Sequence, residues 1–438
     1  MRSVEICNAF VEFYKRRGYN LLPSASLLDP SIPMSFVMSA GLVQVEKSLA
    51  QSENGDGNQY VLVQKCFRHF DVDKVGNDST HLSFFEMPGA FIFGETDQAA
   101  TIERMWTLAT SVLRLPPKKL WASYFQGGEA FGTEILADTQ SRDAWLGIGL
   151  PAERIVGLDK ANNFWTQGNG FQTDTITRKC GPNTELFYDR GNDLSCGDDC
   201  KPGCICGRFV EFSNTLFIEY EFDPETQQIS PIQRPFTETV IGAERVAMLA
   251  EGVASVFDTN EYHPIIQTIR RYIGNTDLEP QDVSACVNII ADHLKALYAL
   301  VADGAPPPGK DGRRRIIKIL VRRVFSCQIL LGISSDEFLR QTIQLIATRE
   351  PPSVVAETSM KAQAYFSEET QRFSKTIQRG RKQIAHLLDQ NGGSALSASQ
   401  ILTLEQRWGL PQLLTTTILK NSQMTSELLG LSIKGEVA

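Results

Sequence analysis

Only five histidines occur among 438 residues, which leaves little material for a histidine-based hydrolase. The chain lacks a G-x-x-x-x-G-K-[ST] phosphate loop and a G-x-G-x-x-G turn after a strand. It also has no G-x-S-x-G elbow, no HExxH and no EF-hand loop. The chemistries those patterns serve are therefore set aside. No run of about 18 apolar residues exists, so no bilayer-spanning segment and no membrane partner are expected. The opening MRSVEICNAFVEFYKRRGY puts its basic residues after the apolar ones and offers no small-residue cleavage site, unlike a signal peptide. An excess of basic charge is also missing. Forty-three basic against 51 acidic residues give a net charge of −8, which argues against nonspecific coating of nucleic acid but leaves room for a local basic face.

What is present is ordinary globular composition, 42% apolar and 21% charged, which excludes disordered, collagen-like and disulfide-dense classes. The length suits two or three domains. Nine cysteines read as thiols or metal ligands before disulfides, and a cytoplasmic chain is expected.

The chain changes texture near residue 255. Before it, aromatic and β-branched runs alternate with Gly, Asn and Asp: YVLVQKCF (60–67), LSFFEMPGAFIFG (82–94), LWASYF (120–125), TELFYD (184–189) and FVEFSNTLFIEYEF (209–222). These predict short strands, with helices at the start and over 98–114. Strand runs with helices set apart imply an α+β fold on an antiparallel sheet. After about residue 258 helical spacing dominates: 261–273, 281–303, 313–331, 335–347, 353–389, 397–408 and 411–421. The loop GAPPPGKDG (304–312) is the clearest breaker. Two domains are expected, 1–255 and 256–438, the second all-α.

Four features could carry chemistry. Cys196, Cys200, Cys204 and Cys206 lie within SCGDDCKPGCICGRF. Gly, Pro and Asp between them allow four sulfurs to converge on a tetrahedral, structural Zn²⁺, against two disulfides or four unrelated thiols. The stretch 64–94 sets Arg68 on one strand and His81, Phe85 and Glu86 on its return, able to hold a phosphate and stack a base; a plain hairpin with a surface arginine fits the same residues. PFTETVIGAERVAMLAEG (235–252) runs a strand into a helix, with Gly242 allowing close packing at the junction and Arg245 in the first turn. KDGRRRIIKILVRR (310–323) gathers seven basic residues against one acid, a face for phosphates or simply a solvated one.

Taken in order, these segments resemble the alanyl-tRNA synthetase family of class II aminoacyl-tRNA synthetases. NAFVEFYKRRGYNLLPSASLL, Pro33 and MSAGL (38–42) are similar to its first motif, and the Arg68 strand with HLSFFEMPGAFIFG to its second. NNFW (162–165), CGPNTELFYDRG (180–191) and VEFSNTLFIEY (210–220) resemble its middle blocks. GAERVAML (242–249) resembles the third motif. IIADHLKALYALVADG (289–304), the basic helix and LEQRWGLP (404–411) resemble its helical tRNA-recognition domain.

The resemblance implies a catalytic domain over 1–255, with the Cys-rich insert 196–206, followed by a tRNA-recognition-like domain. It implies that Arg68 binds the ATP α-phosphate and that Arg245 clamps the γ-phosphate and covers the adenine opposite Phe85. His81, Glu86 and Met87 would complete the ATP pocket, with Mg²⁺ assisting. Trp165 would wall the amino-acid pocket and Asn214 hold the substrate's polar end. Arg313, Arg314, Arg315, Lys318, Arg322 and Arg323 would meet tRNA. Glu238 stands where the family's anchor for the amino group is Asp, and Val240 stands where it has Gly. Ser213 replaces a Trp, while Ala90 and Ser39 replace Asn, so a reshaped pocket and an amino acid other than alanine are expected. The loop after Arg68 is shorter than in the family, and nothing after LEQRWGLP resembles its editing or C-terminal domains, so a truncated or divergent monomeric paralogue is expected. Two functions follow: a ligase of protein biosynthesis that charges tRNA, or a repurposed enzyme passing an activated amino acid to a small molecule, peptide or carrier protein.

Overall fold

The computed structural model describes residues 1–30, 37–51, 58–94, 96–168, 177–335, 337–349, 352–391, 396–408, 410 and 414–415. Pro33 and nearly all of the 411–421 helix expected from the sequence lie outside the described residues. The chain forms two compact units. The first comprises 1–26, 38–66 and 85–259; the second comprises 27–37, 67–84 and 260–438. The texture change near residue 255 thus falls close to the division after Thr259. Two stretches of the N-terminal half nevertheless pack with the helices.

Among the described residues, the first unit is built on a nine-stranded sheet. Its strands are β1 (Asn20–Leu21), β2 (Gln59–Phe67), β3 (Phe84–Phe93), β4 (Leu120–Phe125), β7 (Ile155–Leu158), β8 (Phe164–Thr166), β9 (Arg178–Asp189), β10 (Phe209–Asp223) and β11 (Gln228–Ile241). The hairpin β5 (Gly128–Ala130) and β6 (Thr133–Ile135) stands apart. The order is β1-β2-β3-β11-β10-β9-β4-β7, with β8 paired to β9. Around β11 and β10 the pairing is antiparallel, as the strand runs imply. The edges differ: β1–β2 and β4–β7 are parallel. A parallel neighbour needs a crossover, supplied by α2 (Leu42–Gln51) and α4 (Thr139–Gly147). The remaining helices of this unit are α1 (Ser3–Lys15), α3 (Gln98–Thr107), α5 (Lys160–Asn163) and α6 (Ala243–Glu251).

Alternation along the strands sorts the two sheet faces. Leu216, Ile218, Phe91, Phe93 and Phe236 cluster on one of them with Leu42, Val45 and, partly buried, Trp165. One glycine in this sheet is sterically required: a Cβ on Gly181 would lie 1.9 Å from the Phe217 carbonyl oxygen. Close strand approach beside the β9–β10 register shift explains it.

The second unit comprises α7 (His263–Arg270), α8 (Pro280–Ala302), α9 (Gly312–Leu330), α10 (Glu337–Ile346), α11 (Pro352–Gln390) and α12 (Ala398–Trp408). Helix α8 is long and apolar enough to cross a bilayer by length and composition, but most of that stretch is buried inside the unit. It is a core helix here, and Asp292 and His293 are fully buried within it. The 67–84 stretch belongs to this unit because α8 and α9 hold it. The Ser83 backbone N–H donates to Asp292 (2.9 Å), and Arg323 donates to Asp73 (2.7 Å) and to the Val72 carbonyl (3.1 Å). Gly76 sits so close to Ala285 and Ile289 that a Cβ would clash.

Candidate active site and metal centre

Pairing register brings a set of polar residues of the first unit onto the Leu216 face. Trp165 lies opposite Gly181, Asn183 opposite Leu216, and Glu185 opposite Asn214. Asn214 lies opposite Val240, Leu216 opposite Glu238, and Val240 opposite Gly89. Directly opposed residues share a face, so Trp165, Asn183, Glu185, Asn214, Glu238 and Val240 look the same way. Asn183 donates to the Asn214 side-chain oxygen (3.1 Å), and Asn214 donates onward to Glu185 (3.0 Å). Burial above all, and then the nearby Glu211 carboxylate, push Glu185 well above the usual carboxylate range.

Arg245 rises from the first turn of α6 into this cluster. Its guanidinium donates to the Glu211 carboxylate (3.0 Å) and to the Glu211 carbonyl (3.0 Å). The neighbouring Glu244 is buried and accepts the backbone N–H of Glu86 at 3.1 and 3.2 Å. That bond ties the strand bearing Phe85, Glu86 and Met87 to the helix bearing Arg245. A carboxylate in a helix's first turn is also favoured by the dipole. Gly242 has an ordinary φ of −86°, and a Cβ there would make only normal contact with Arg245. The close packing expected of it is therefore not required.

Two of the substitutions expected to reshape the pocket fall elsewhere. Ser213 lies opposite Ile241, and Ala90 lies opposite Thr239, which places both on the other face of the sheet. The Ser213 hydroxyl donates to the Val240 carbonyl (3.0 Å). Glu238 and Val240 are the altered positions that share a face with Asn214.

In the second unit, Arg68 follows β2, half-buried, with its N–H donating to the Ser83 carbonyl (2.9 Å). His81 bonds through Nδ1 to Asp78 (2.5 Å). Burial opposes ionisation of Asp78, but His81 and the Thr80 and His81 backbone N–H groups outweigh it and hold its pKa low. The basic helix divides in two. Arg313 donates to the Leu28 and Asp29 carbonyls (3.1 and 3.2 Å), Arg322 pairs with buried Glu369 (2.7 Å), and Arg323 bonds His293 and Asp73. Arg314 and Arg315 are exposed and Lys318 is half-buried. Three of the six side chains expected at tRNA are thus committed to bonds within the unit.

The cysteine insert closes on itself. The sulfurs of Cys196, Cys200 and Cys204 lie within 4.8 Å of one another, and Cys206 Sγ is 3.6 Å from Cys200 Sγ. Glycines at φ +150° (197), +96° (203) and +81° (207) turn the chain around them. All four are free thiols in this structure. A hydrogen bond from the Cys196 backbone holds Cys200 down at about 6, while bonding to the Cys200 sulfur first, then Cys204 and Cys206, takes Cys196 up to about 12. Tetrahedral Zn²⁺ with bonds of ~2.3 Å needs sulfurs roughly 3.8 Å apart, so the three mutually close thiols fit it, with Cys206, set against Cys200, as the candidate fourth ligand. Glu185 and Glu211 supply the hard oxygens a Mg²⁺ would take.

Sequence reasoning missed Glu185, Glu211, Glu244 and Asn183. The alternation in TELFYD and VEFSN carried the signal for the first two.

A family model for tRNA synthetases class II (A) matches residues 5–433. The alanine–tRNA ligase of Desulforudis audaxviator is 34% identical over 426 residues, covering 95% of this chain and 46% of that protein. That of Thermotoga petrophila is 34% identical over 427 residues, with the same coverage. The chain spans about half the length of the curated relatives it matches. The solved apo histidyl-tRNA synthetase of S. aureus aligns at 12% identity over 59% of this chain and 68% of that one, with a TM-score of 0.34, too slight a likeness to argue from.

Proposed function

The chain belongs to the tRNA synthetases class II (A) family, and on that premise we propose that it is an adenylate-forming ligase. An amino-acid carboxylate oxygen attacks the α-phosphorus of ATP, the α–β phosphoanhydride bond breaks, and pyrophosphate leaves with the electron pair. The observation that carries this reading is Arg245 seated on Glu211 beside Glu185 and Asn214, a polar cluster on the sheet face that also carries the apolar Leu216, Phe91 and Phe236.

Adenylyl transfer asks for positioning and charge neutralisation, without a nucleophilic side chain. Arg68 would meet the α-phosphate, whose negative charge grows in the transition state. Arg245 would take the γ-phosphate and adenine, leaving Glu211 to the metal. Phe85, Glu86, Met87 and His81 would complete the ATP contacts. Mg²⁺ held by Glu185 and Glu211 would neutralise phosphate charge. Glu238 would anchor the substrate ammonium, Asn214 its polar end, and Trp165 and Val240 would bound its side chain. Zn²⁺ on Cys196, Cys200, Cys204 and Cys206 would have a structural role. Nine free thiols suit a reducing cytoplasm.

Transfer of the aminoacyl group to tRNA, in the manner of an alanine–tRNA ligase, is the first reading of the second step. A second has its own support. Val240 and the longer Glu238 would narrow an amino-acid pocket on this sheet face, and Arg313, Arg322 and Arg323 are engaged within the helical unit. Those features favour a non-alanine substrate and a non-tRNA acceptor in a biosynthetic pathway. An ATP–pyrophosphate exchange screen across amino acids, followed by charging of total tRNA, separates the two. Alanine as best substrate with charged tRNA supports the first; another amino acid with no charged tRNA supports the second. No exchange with any amino acid overturns both.

A further inference from the structure

A continuous hydrogen-bond chain, buried at Ser83, Asp292 and His293 and exposed at Asp73, links α8 and α9 to two points of the stretch that carries Arg68. It begins at Arg323 on α9. One of its donors reaches the Asp73 carboxylate (2.7 Å), one the Val72 carbonyl (3.1 Å), and its Nε–H reaches Nε2 of His293 (3.0 Å). An arginine can only donate, so Nε2 must be the acceptor and His293 carries its proton on Nδ1. That N–H donates to Asp292 (2.8 Å). Burial above all lowers the His293 pKa, in keeping with a neutral ring. Asp292 then accepts both the Ser83 N–H (2.9 Å) and the Ser83 hydroxyl. The Ser83 carbonyl receives the Arg68 N–H (2.9 Å), and the Arg68 carbonyl receives the Asp71 N–H (3.1 Å).

Ser83, Asp292 and His293 are all fully buried, and each donor–acceptor role in the chain follows from the one before it. Such a network is rigid where complete and costly where broken. A second support runs parallel to it. Lys295, paired with Glu261 at 2.6 Å, lies over the rings of Phe84 (5.6 Å) and Tyr262 (4.8 Å).

We propose that Asp292, His293 and Arg323 are positioning residues that set the backbone of Arg68 and, through it, the contact Arg68 makes with the α-phosphate in adenylate formation. The inference rests on the role given to Arg68 above. It gives Arg323 a function separate from nucleic-acid contact, and it makes two residues inside an apolar helix part of the catalytic apparatus without their touching substrate.

The test uses full-length chain and ATP–pyrophosphate exchange. Asp292→Asn and His293→Leu break the chain in the middle; Ser83→Ala removes one hydroxyl and serves if the others fail to fold. A displacement of about an ångström costs on the order of 100-fold. The expected result is therefore a 10- to 100-fold fall in kcat with KM for ATP within about twofold. His293→Gln retains a donor and an acceptor and should recover most of the rate. Glu369→Gln is the control. It breaks the buried Arg322 pair in the same unit and should lower thermal stability while leaving kcat in place. Folded Asp292→Asn and Ser83→Ala with wild-type kcat overturn the inference, as does an equal fall in Glu369→Gln. If Arg68→Ala itself retains exchange, the assignment of the site fails instead. Loss in Arg68→Ala with no loss in Asp292→Asn removes this proposal alone.

Discussion

Replacing Glu244 by alanine is expected to loosen the strand proposed to contact ATP from the Arg245 helix, and the size of the effect can be worked from the structure. The Glu244 carboxylate, 4% exposed, accepts the Glu86 N–H through both oxygens. A hydrogen bond to a charged group contributes about 1.5–3 kcal/mol. A first-turn carboxylate adds about 0.3–1 kcal/mol through the helix dipole. Alanine loses both, about 3 kcal/mol in total, while glutamine keeps a neutral acceptor and should lose about half as much. At about 2–4 °C per kcal/mol for a domain of this size, Glu244→Ala should melt roughly 6–12 °C lower. Because Phe85, Glu86 and Met87 share the released strand, KM for ATP should rise severalfold. Scanning calorimetry and exchange kinetics at varied ATP measure both. A Glu244→Ala protein melting within 2 °C of wild type with unchanged KM would refute the reasoning.

Three further outcomes follow from the same geometry. The Cys196–Cys206 cluster should carry about one equivalent of zinc by elemental analysis, lost in Cys200→Ser with a lower melting temperature; metal-free protein of full stability contradicts it. Glu185, whose pKa burial and Glu211 raise, favours the protonated folded state. Its contribution to stability is complete below the unfolded value and is lost as pH rises through the folded value. Glu185→Gln should therefore melt higher than wild type at pH 8 without Mg²⁺, yet lose exchange, and a lower melting point there counts against the assignment. Restoring Glu238→Asp with Val240→Gly should shift preference toward alanine about 10- to 100-fold, read as the ratio of kcat/KM values; an unchanged ratio excludes these positions from substrate selection.

The features legible in the sequence are those whose information is local. Alternating runs predicted the central strands, the Pro- and Gly-rich loop separated α8 from α9, and four cysteines eleven residues end to end could only lie near one another. What was not legible depends on register. Ser213 and Ala90 face away from Asn214, and near Ser213 the β9–β10 register shifts between Glu211 and Ser213; one-residue offsets of that kind exchange sheet faces. The carboxylates around Arg245 come from β9, β10 and the start of α6, which meet only through the sheet. Nothing local to IIADHLKALYALVADG sets Asp292 and His293 apart. Their meaning appears once the 67–84 stretch packs with the helices. The count of basic residues on 310–323 was visible, but how many are held by carbonyls and carboxylates was not.

The account depends most directly on Arg68 and Arg245 acting as phosphate ligands. Pyrophosphate exchange by Arg68→Ala and Arg245→Ala, each checked for folding and each assayed with the best amino acid of the wild-type screen, tests that. Both variants should lose activity by at least about 100-fold, the scale of removing one transition-state charge partner. Exchange near the wild-type rate in both folded variants would contradict adenylate formation at this site.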